Sequence, residues 1–140
     1  MIRIYTYEDE DNVMDIWSQA SALAHPFLDK NFVEKVRTDM RALYLPNSQT
    51  WVYEDKNSVV GFIAMINNEI GGLFVLPEYQ FKGIGTKLVD FVLQDNDELE
   101  VEVFERNFIG RAFYDKYGFV LLKKLSHKET GNEILRLIFK

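Results

Sequence analysis

Gly71-Gly72-Leu73-Phe74-Val75-Leu76-Pro77-Glu78-Tyr79-Gln80-Phe81-Lys82-Gly83-Ile84-Gly85-Thr86-Lys87-Leu88 reads as a strand, a bend and the start of a helix. The apolar run from Leu73 to Leu76 is stopped by Pro77, which has no backbone N–H and cannot extend a central ladder. An amphipathic segment begins near Ile84. Between the two lies a loop in which Gly83 and Gly85 let the backbone approach a ligand closely. The helix that follows offers unpaired N–H groups and about half a positive charge at its N-terminus, so the turn is suited to an anion. On residues alone, a tight strand-to-helix turn with no ligand is the commoner explanation of the two glycines.

Upstream of this stretch, Ile2 to Tyr7 alternates β-formers with polar residues and predicts a first strand. The acidic cluster Glu8 to Asp11 precedes Val13, Ile16, Trp17 and Ala20 at helical spacing, predicting a helix that ends near Ala24, before His25-Pro26. Phe32, Val33, Val36, Met40 and Leu43 form the stripe of a second helix, closed by Pro46-Asn47-Ser48. The period then changes. Thr50 to Tyr53, Val59 to Ile66 and the strand starting at Glu69 form an antiparallel meander, with turns at 55–58 and 67–68.

Downstream, Ile84, Leu88, Phe91 and Val92 share one helix face, and Leu99 to Phe104 alternates apolar residues with glutamate as a strand. Arg106-Asn107 introduces a short helix that Gly118 stops. Phe119 to Leu125 and Ile134 to Phe139 are the last strands, a hairpin around 129–132. The order β-α-α-β-β-β-α-β-α-β-β is α+β with a mixed sheet. The helix between the strand at Glu69 and the strand at Leu99 makes those two neighbours parallel.

The 140 residues, 47% of them hydrophobic, predict one domain over residues 1–140 with a core of its own. Sixteen basic against 22 acidic side chains argue against nucleic acid and favour cationic partners. Without cysteine there is no disulfide, no thiolate catalysis and no Cys-based zinc site, and no His/Asp/Glu cluster has metal spacing. No signal peptide or long apolar run is visible, so a soluble, cytoplasmic chain that does not enter a membrane is expected.

Nucleotide motifs fail on the glycine loop. Leu88 stands where a dinucleotide fingerprint needs its third glycine, and Gly85-Thr86-Lys87 reverses the order of a phosphate loop. Gln80-Phe81-Lys82-Gly83-Ile84-Gly85 instead resembles the Q/R-x-x-G-x-G/A signature of the GCN5-related N-acetyltransferases (GNAT), in the strand–loop–helix position where that family carries it. Leu73 to Pro77, Asn107 and the segment from Ala112 to Phe119 look like the family's other landmarks. His25-Pro26-Phe27, Tyr44-Leu45-Pro46, Thr50-Trp51-Val52 and Gly61-Phe62-Ile63 are similar to the small bacterial YiaC/YjaB-like members.

The resemblance implies a GNAT-like, mostly antiparallel sheet of about seven strands with about four helices, splayed at its two central parallel strands. It implies acetyl-CoA as donor, with a primary amine, on a small molecule or a protein lysine, as acceptor. Pantetheine would pair with the backbone of Phe74 and Val75. The pyrophosphate would sit on the loop Gln80, Phe81, Lys82, Gly83, Ile84, Gly85 and Thr86, with charge added by Lys82 and Lys87, and Asn107 would bond the coenzyme. Arg111, one turn on, is either a phosphate contact or a surface residue.

Acetyl transfer to an alkylammonium, of reference pKa about 10.4, needs a route for its proton and an acid for the departing thiolate. By resemblance Tyr114 is the acid, and its bland alternative is a core tyrosine. Glu69 and His25 are candidate bases. Glu100 and Glu102 are read as a solvated strand face, His127 as an exposed turn residue, and Phe27 as a substrate neighbour beside His25. A non-catalytic acyl-CoA-binding module is the alternative function. A monomer and a homodimer are both compatible with the chain.

Overall fold

The alternating stretches fold as expected into one mixed sheet. In the computed structural model, which describes residues 1–140, its strands are β1 (Ile2–Ile4), β2 (Gln49–Asp55), β3 (Ser58–Ile66), β4 (Glu69–Val75), β5 (Leu99–Phe104), β6 (Val120–Ser126) and β7 (Glu133–Phe139). The order is β1-β2-β3-β4-β5-β7-β6, and only β4 and β5 run parallel. β1 is shorter than its pattern because Tyr7–Asp9 turns away as a 3-10 segment into α1 (Glu10–Ala24). The Asp9 carboxylate accepts from the Thr6 N–H and is held by Arg3 across the turn.

Strand alternation sends the two faces of the sheet to two apolar clusters. One gathers Ile70, Leu99, Val101, Val103, Leu135 and Leu137 with Ile84, Leu88, Val89 and Val92 of α4 (Ile84–Leu93) and with Tyr114 of α5 (Phe108–Tyr117). The other packs Val13, Met14, Ile16 and Trp17 of α1 against Val52 and Phe62. No helix is long and apolar enough to cross a membrane.

The second predicted helix is built differently from its pattern. α2 (Lys30–Asp39) continues through a π-helical turn at Met40–Tyr44 into the short α3 (Leu45–Asn47), so Pro46 lies inside the last turn. Proline cannot donate to the carbonyl four residues back, and its ring crowds that carbonyl. The chain widens instead, with Leu45 N–H donating to Met40 C=O. The freed carbonyls of Leu43 and Tyr44 accept from the side chains of Asn47 and Ser48, each at 2.6 Å.

The parallel pair sets up the site. β4 and β5 are in register only at Glu69 with Glu100 and at Ile70 with Val101, after which the strands part. β3 continues to pair with β4 as far as Val75, and β7 pairs with β5 as far as Phe104. Each strand therefore has one satisfied edge and one open edge facing a wedge.

Candidate active site

A cleft of about 450 Å³ occupies that wedge and the space beneath α1 and α2. Its walls include Glu69 to Phe74, Val101 to Phe104, Asn107, Gly110 and Tyr114 on one side, and His25, Phe32, Val33 and Val36 on the other.

The open edge of β4 follows from its ladder. Leu76 N–H donates to Val60 C=O at 2.9 Å, so Leu76, Phe74 and Gly72 turn their backbone groups toward β3. Leu73 and Val75 then turn theirs into the wedge. Of the expected rail, Val75 turns its backbone into the wedge together with Leu73, whereas Phe74 turns its backbone toward β3 and packs its ring on Phe62 at 5.6 Å. The side chain of Gln80 donates to Val75 C=O at 3.0 Å and ties the loop to the strand end.

In the loop itself, Gly83 is the N-cap of α4 at φ 86°, and no side chain caps the helix. The N–H groups of Ile84, Gly85 and Thr86 in the first turn are the ones an α-helix leaves unpaired. Nothing lies within 4 Å of a Cβ built on Gly83, so its need for glycine is conformational. Gly85 differs: its Cβ would stand 3.1 Å from the Phe113 ring, so this glycine has a packing reason, the close approach of α4 and α5. Phe81 also takes a positive φ of 64° and is 96% exposed, while Ile84 turns its side chain into the core. Lys82 reaches over the ring of Tyr79, and Lys87 leans on Tyr53. Arg111 bonds the Glu105 carbonyl at 2.9 Å.

Tyr114 faces the cleft from α5. It is 6% exposed, its ring is wedged against Phe113 and Phe119, and its hydroxyl takes part in no hydrogen bond of the protein. Burial pushes the phenol above its ordinary value, so the proton stays on. Asn107, 8% exposed, caps α5 by accepting from Gly110 N–H at 2.9 Å, and its amide nitrogen lies 3.2 Å from His25 Nε2. His25 Nδ1 lies 3.1 Å from Ser21 Oγ. Burial alone lowers the imidazole to about 4.

The carboxylates gather around one guanidinium, Glu102 keeping the exposed position expected of a solvated strand face while Glu69 and Glu100 are half-buried. Arg136 of β7 donates to Glu100 at 2.7 Å, Glu102 at 2.8 Å and Glu69 at 3.1 Å, and the three acids hold its guanidinium charged. His127 is not the exposed turn residue its surroundings suggested. It lies half-buried in the cleft wall, edge-on to Phe32 and Phe104, with Nδ1 2.9 Å from Thr130 Oγ1. The distant pairing of β7 with β5, which sets Ile134 beside Phe104 and brings the β6–β7 hairpin with it, carries His127 there, and no local pattern signals that. No group of three or more His, Asp or Glu side chains is placed to hold a metal ion.

A sheet splayed at one parallel pair, with an uncapped helix end at its mouth and a free phenol inside, defines the architecture of the GNAT acetyltransferases. The chain belongs to that family, which moves acetyl groups from acetyl-CoA to amines: residues 46–121 match the acetyltransferase (GNAT) domain. It is 28% identical over 131 residues to the peptidyl-lysine N-acetyltransferase YiaC of Escherichia coli, covering 93% of this chain and 90% of that one. To the peptidyl-lysine N-acetyltransferase YjaB of Escherichia coli it is 29% identical over 131 residues. The solution structure of apo YjaB superimposes with a TM-score of 0.88 over 99% of this chain and 96% of that one, at 25% identity. The PaiA N-acetyltransferase of Thermoplasma acidophilum, solved in complex with coenzyme A, shares the fold with a TM-score of 0.76 at 20% identity, over 97% and 96% of the two chains.

Proposed function

We propose that this chain, acting as a single domain, acetylates lysine side chains of peptides or proteins with acetyl-CoA as donor. One observation carries the reading: β4 opens its edge at Leu73 into the cleft that Tyr114 lines with an unpartnered hydroxyl, and the same strand leads through the Gly83 loop into the uncapped start of α4. Those parts fit the donor. Peptide-like pantetheine amides match an open strand edge, and a pyrophosphate matches the helix end. When bound, acetyl-CoA supplies an activated thioester. Around it, the amine nitrogen bonds to the acetyl carbon as the carbon–sulfur bond breaks, Tyr114 gives its proton to the departing sulfur, and Glu69, on the short paired stretch from which the strands part, takes the acceptor's proton through water.

The choice of lysine rests on the names of the two relatives above and on charge. Three carboxylates around a single guanidinium leave the acceptor side of the cleft negative, which favours an incoming ammonium. The test is release of coenzyme A thiol, with acetyl-CoA, from a lysine-containing peptide, the same peptide with lysine replaced, and a small diamine. Thiol release with acetylation of the lysine alone supports the reading, and turnover of only the diamine moves the acceptor to small molecules.

The second reading, a non-catalytic acyl-CoA-binding module, draws on Arg136 occupying every carboxylate near the wedge. Calorimetric binding of acetyl-CoA without turnover on any amine would select it.

A further inference from the structure

His25 has the residue type of a base but not the surroundings of one. The Asn107 amide can be oriented unambiguously: its Oδ1 accepts from Gly110 N–H, so its Nδ2 points at His25 Nε2. Nδ2 can only donate, which makes Nε2 the acceptor and puts the single ring proton on Nδ1, donating to Ser21 Oγ. Both nitrogens are then committed. Edge-on contacts with Phe104 at 5.3 Å and Phe27 at 6.0 Å fix the ring plane. No charged group bonds the imidazole; the nearest cation in the cluster, Arg106, lies over the far ring of Phe27.

The arrangement is fitted from the other side too. A Cβ at Gly110 would fall 2.6 Å from Asn107 Nδ2, so glycine at this position leaves the room in which the amide lies. Ser21 is on α1, and Asn107 starts α5, the helix that carries Tyr114. The chain Ser21–His25–Asn107–Gly110 thus runs from the acceptor-side helix to the first turn of the Tyr114 helix. A proton added at Nε2 would set donor against donor, and Asn107 would have to turn its amide and release the cap.

We infer that His25 is a positioning residue whose neutral Nδ1–H imidazole locks the Asn107 cap and so holds the Tyr114 helix against α1. This rests on the transferase reading for its effect on turnover, but the lock itself can be read without any substrate. A base at His25 and a lock at His25 make opposite demands: a base needs a free lone pair and a titrating ring, whereas a lock needs an acceptor that does not titrate. Glutamine can still accept from Asn107 through its side-chain carbonyl. Phenylalanine fills the slot without accepting.

The experiment compares wild type, His25→Gln and His25→Phe. Long-range proton–nitrogen spectra of the full chain are expected to show His25 as the neutral Nδ1–H tautomer throughout pH 5 to 7. Hydrogen exchange at the Gly110 amide should quicken about tenfold or more in His25→Phe and stay near wild type in His25→Gln, an open cap being worth that factor. In thiol-release assays kcat should follow the same order with KM for acetyl-CoA unchanged, and the acidic limb of the pH profile should keep its position in His25→Gln. An imidazole titrating near 6.5, an Nε2–H tautomer, or loss of activity in His25→Gln as complete as in His25→Phe together with a vanished acidic limb overturns the proposal. If wild type acetylates no amine, the transferase reading fails while the spectra and the exchange rates still decide the lock.

Discussion

α4 and α2 are both ten-residue helices with apolar stripes facing the sheet, and the sheet treats them differently. α4 buries Ile84, Leu88, Val89 and Val92, two of them completely, and no side chain caps its first turn. α2 buries no residue; its Val33 and Val36 look into the cleft, and its ties are an Arg37–Trp17 stack, the Phe32–His127 contact and an exposed Lys35–Glu129 pair. The donor half is part of the core, so its geometry is set by folding. The acceptor half is a helix laid over a cavity, which leaves room for a side chain to enter.

If the donor half is preorganised in this way, its unpartnered side-chain hydroxyl, that of Tyr114, matters most. Tyr114→Phe is expected to lower kcat by about 10² to 10⁴, the usual range for a general acid, with KM for acetyl-CoA and the melting temperature nearly unchanged, because the hydroxyl holds no bond in the protein. Retention of full rate would remove the acid and leave the wedge as a binding site only.

The packing contrast itself is tested by a pair of truncations. Leu88→Ala should cost about 2–5 kcal/mol in denaturant unfolding, since the side chain is completely buried. Val36→Ala should cost under about 1 kcal/mol, having little packing to lose, and should raise KM for the peptide instead. Equal losses of stability would mean that α2 is as much core as α4.

A pH effect follows from the seam between the halves. The folded His25 is held at about 4 by burial, below its ordinary 6.5, so between those values the unfolded chain binds the extra proton and stability falls as the pH drops. The full loss is on the order of 3 kcal/mol. Asp9, whose carboxyl Arg3 lowers, adds its own loss only further down, below about 4. His25→Gln should flatten the slope of unfolding free energy between pH 6.5 and 4; an unchanged slope would place its origin elsewhere.

The same contrast governs what could be read from the chain. The donor loop was legible because its parts are adjacent: the stop at Pro77, the glycines and the Ile84 stripe are local signals, as are Asn107 and Tyr114 at the short helix further on. The parallel pair followed from the helix between β4 and β5, whereas the place of β7 between β5 and β6 had no local signal. Arg136 gave no sign of its role, because the three glutamates it holds come from β4 and β5 and meet it only through sheet register. The place of His127 and the commitment of His25 Nε2 likewise depend on contacts about 20 to more than 80 residues apart in sequence. The π-turn before Pro46 was visible as a proline but not as a widening, since the pattern of Phe32 to Leu43 is that of an ordinary helix.

Gly83 and Gly85 bring the comparison down to two residues that one motif treats alike. Alanine at 83 has space for its methyl group but must adopt φ near 86°, at a cost of about 1–2 kcal/mol, or tilt the first turn of α4. That tilt re-aims the N–H groups, so KM for acetyl-CoA should rise several-fold while kcat holds. Alanine at 85 sits inside the helix, where it gains about 1 kcal/mol of propensity over glycine, and presses on Phe113 at 3.1 Å. The two effects nearly cancel in stability. The pressure passes to the residue next to Phe113, which is Tyr114, so Gly85→Ala should show itself in kcat with KM little changed. A rise in KM for Gly85→Ala equal to that of Gly83→Ala would mean that both glycines serve the anion and that the packing of α4 on α5 has slack to spare.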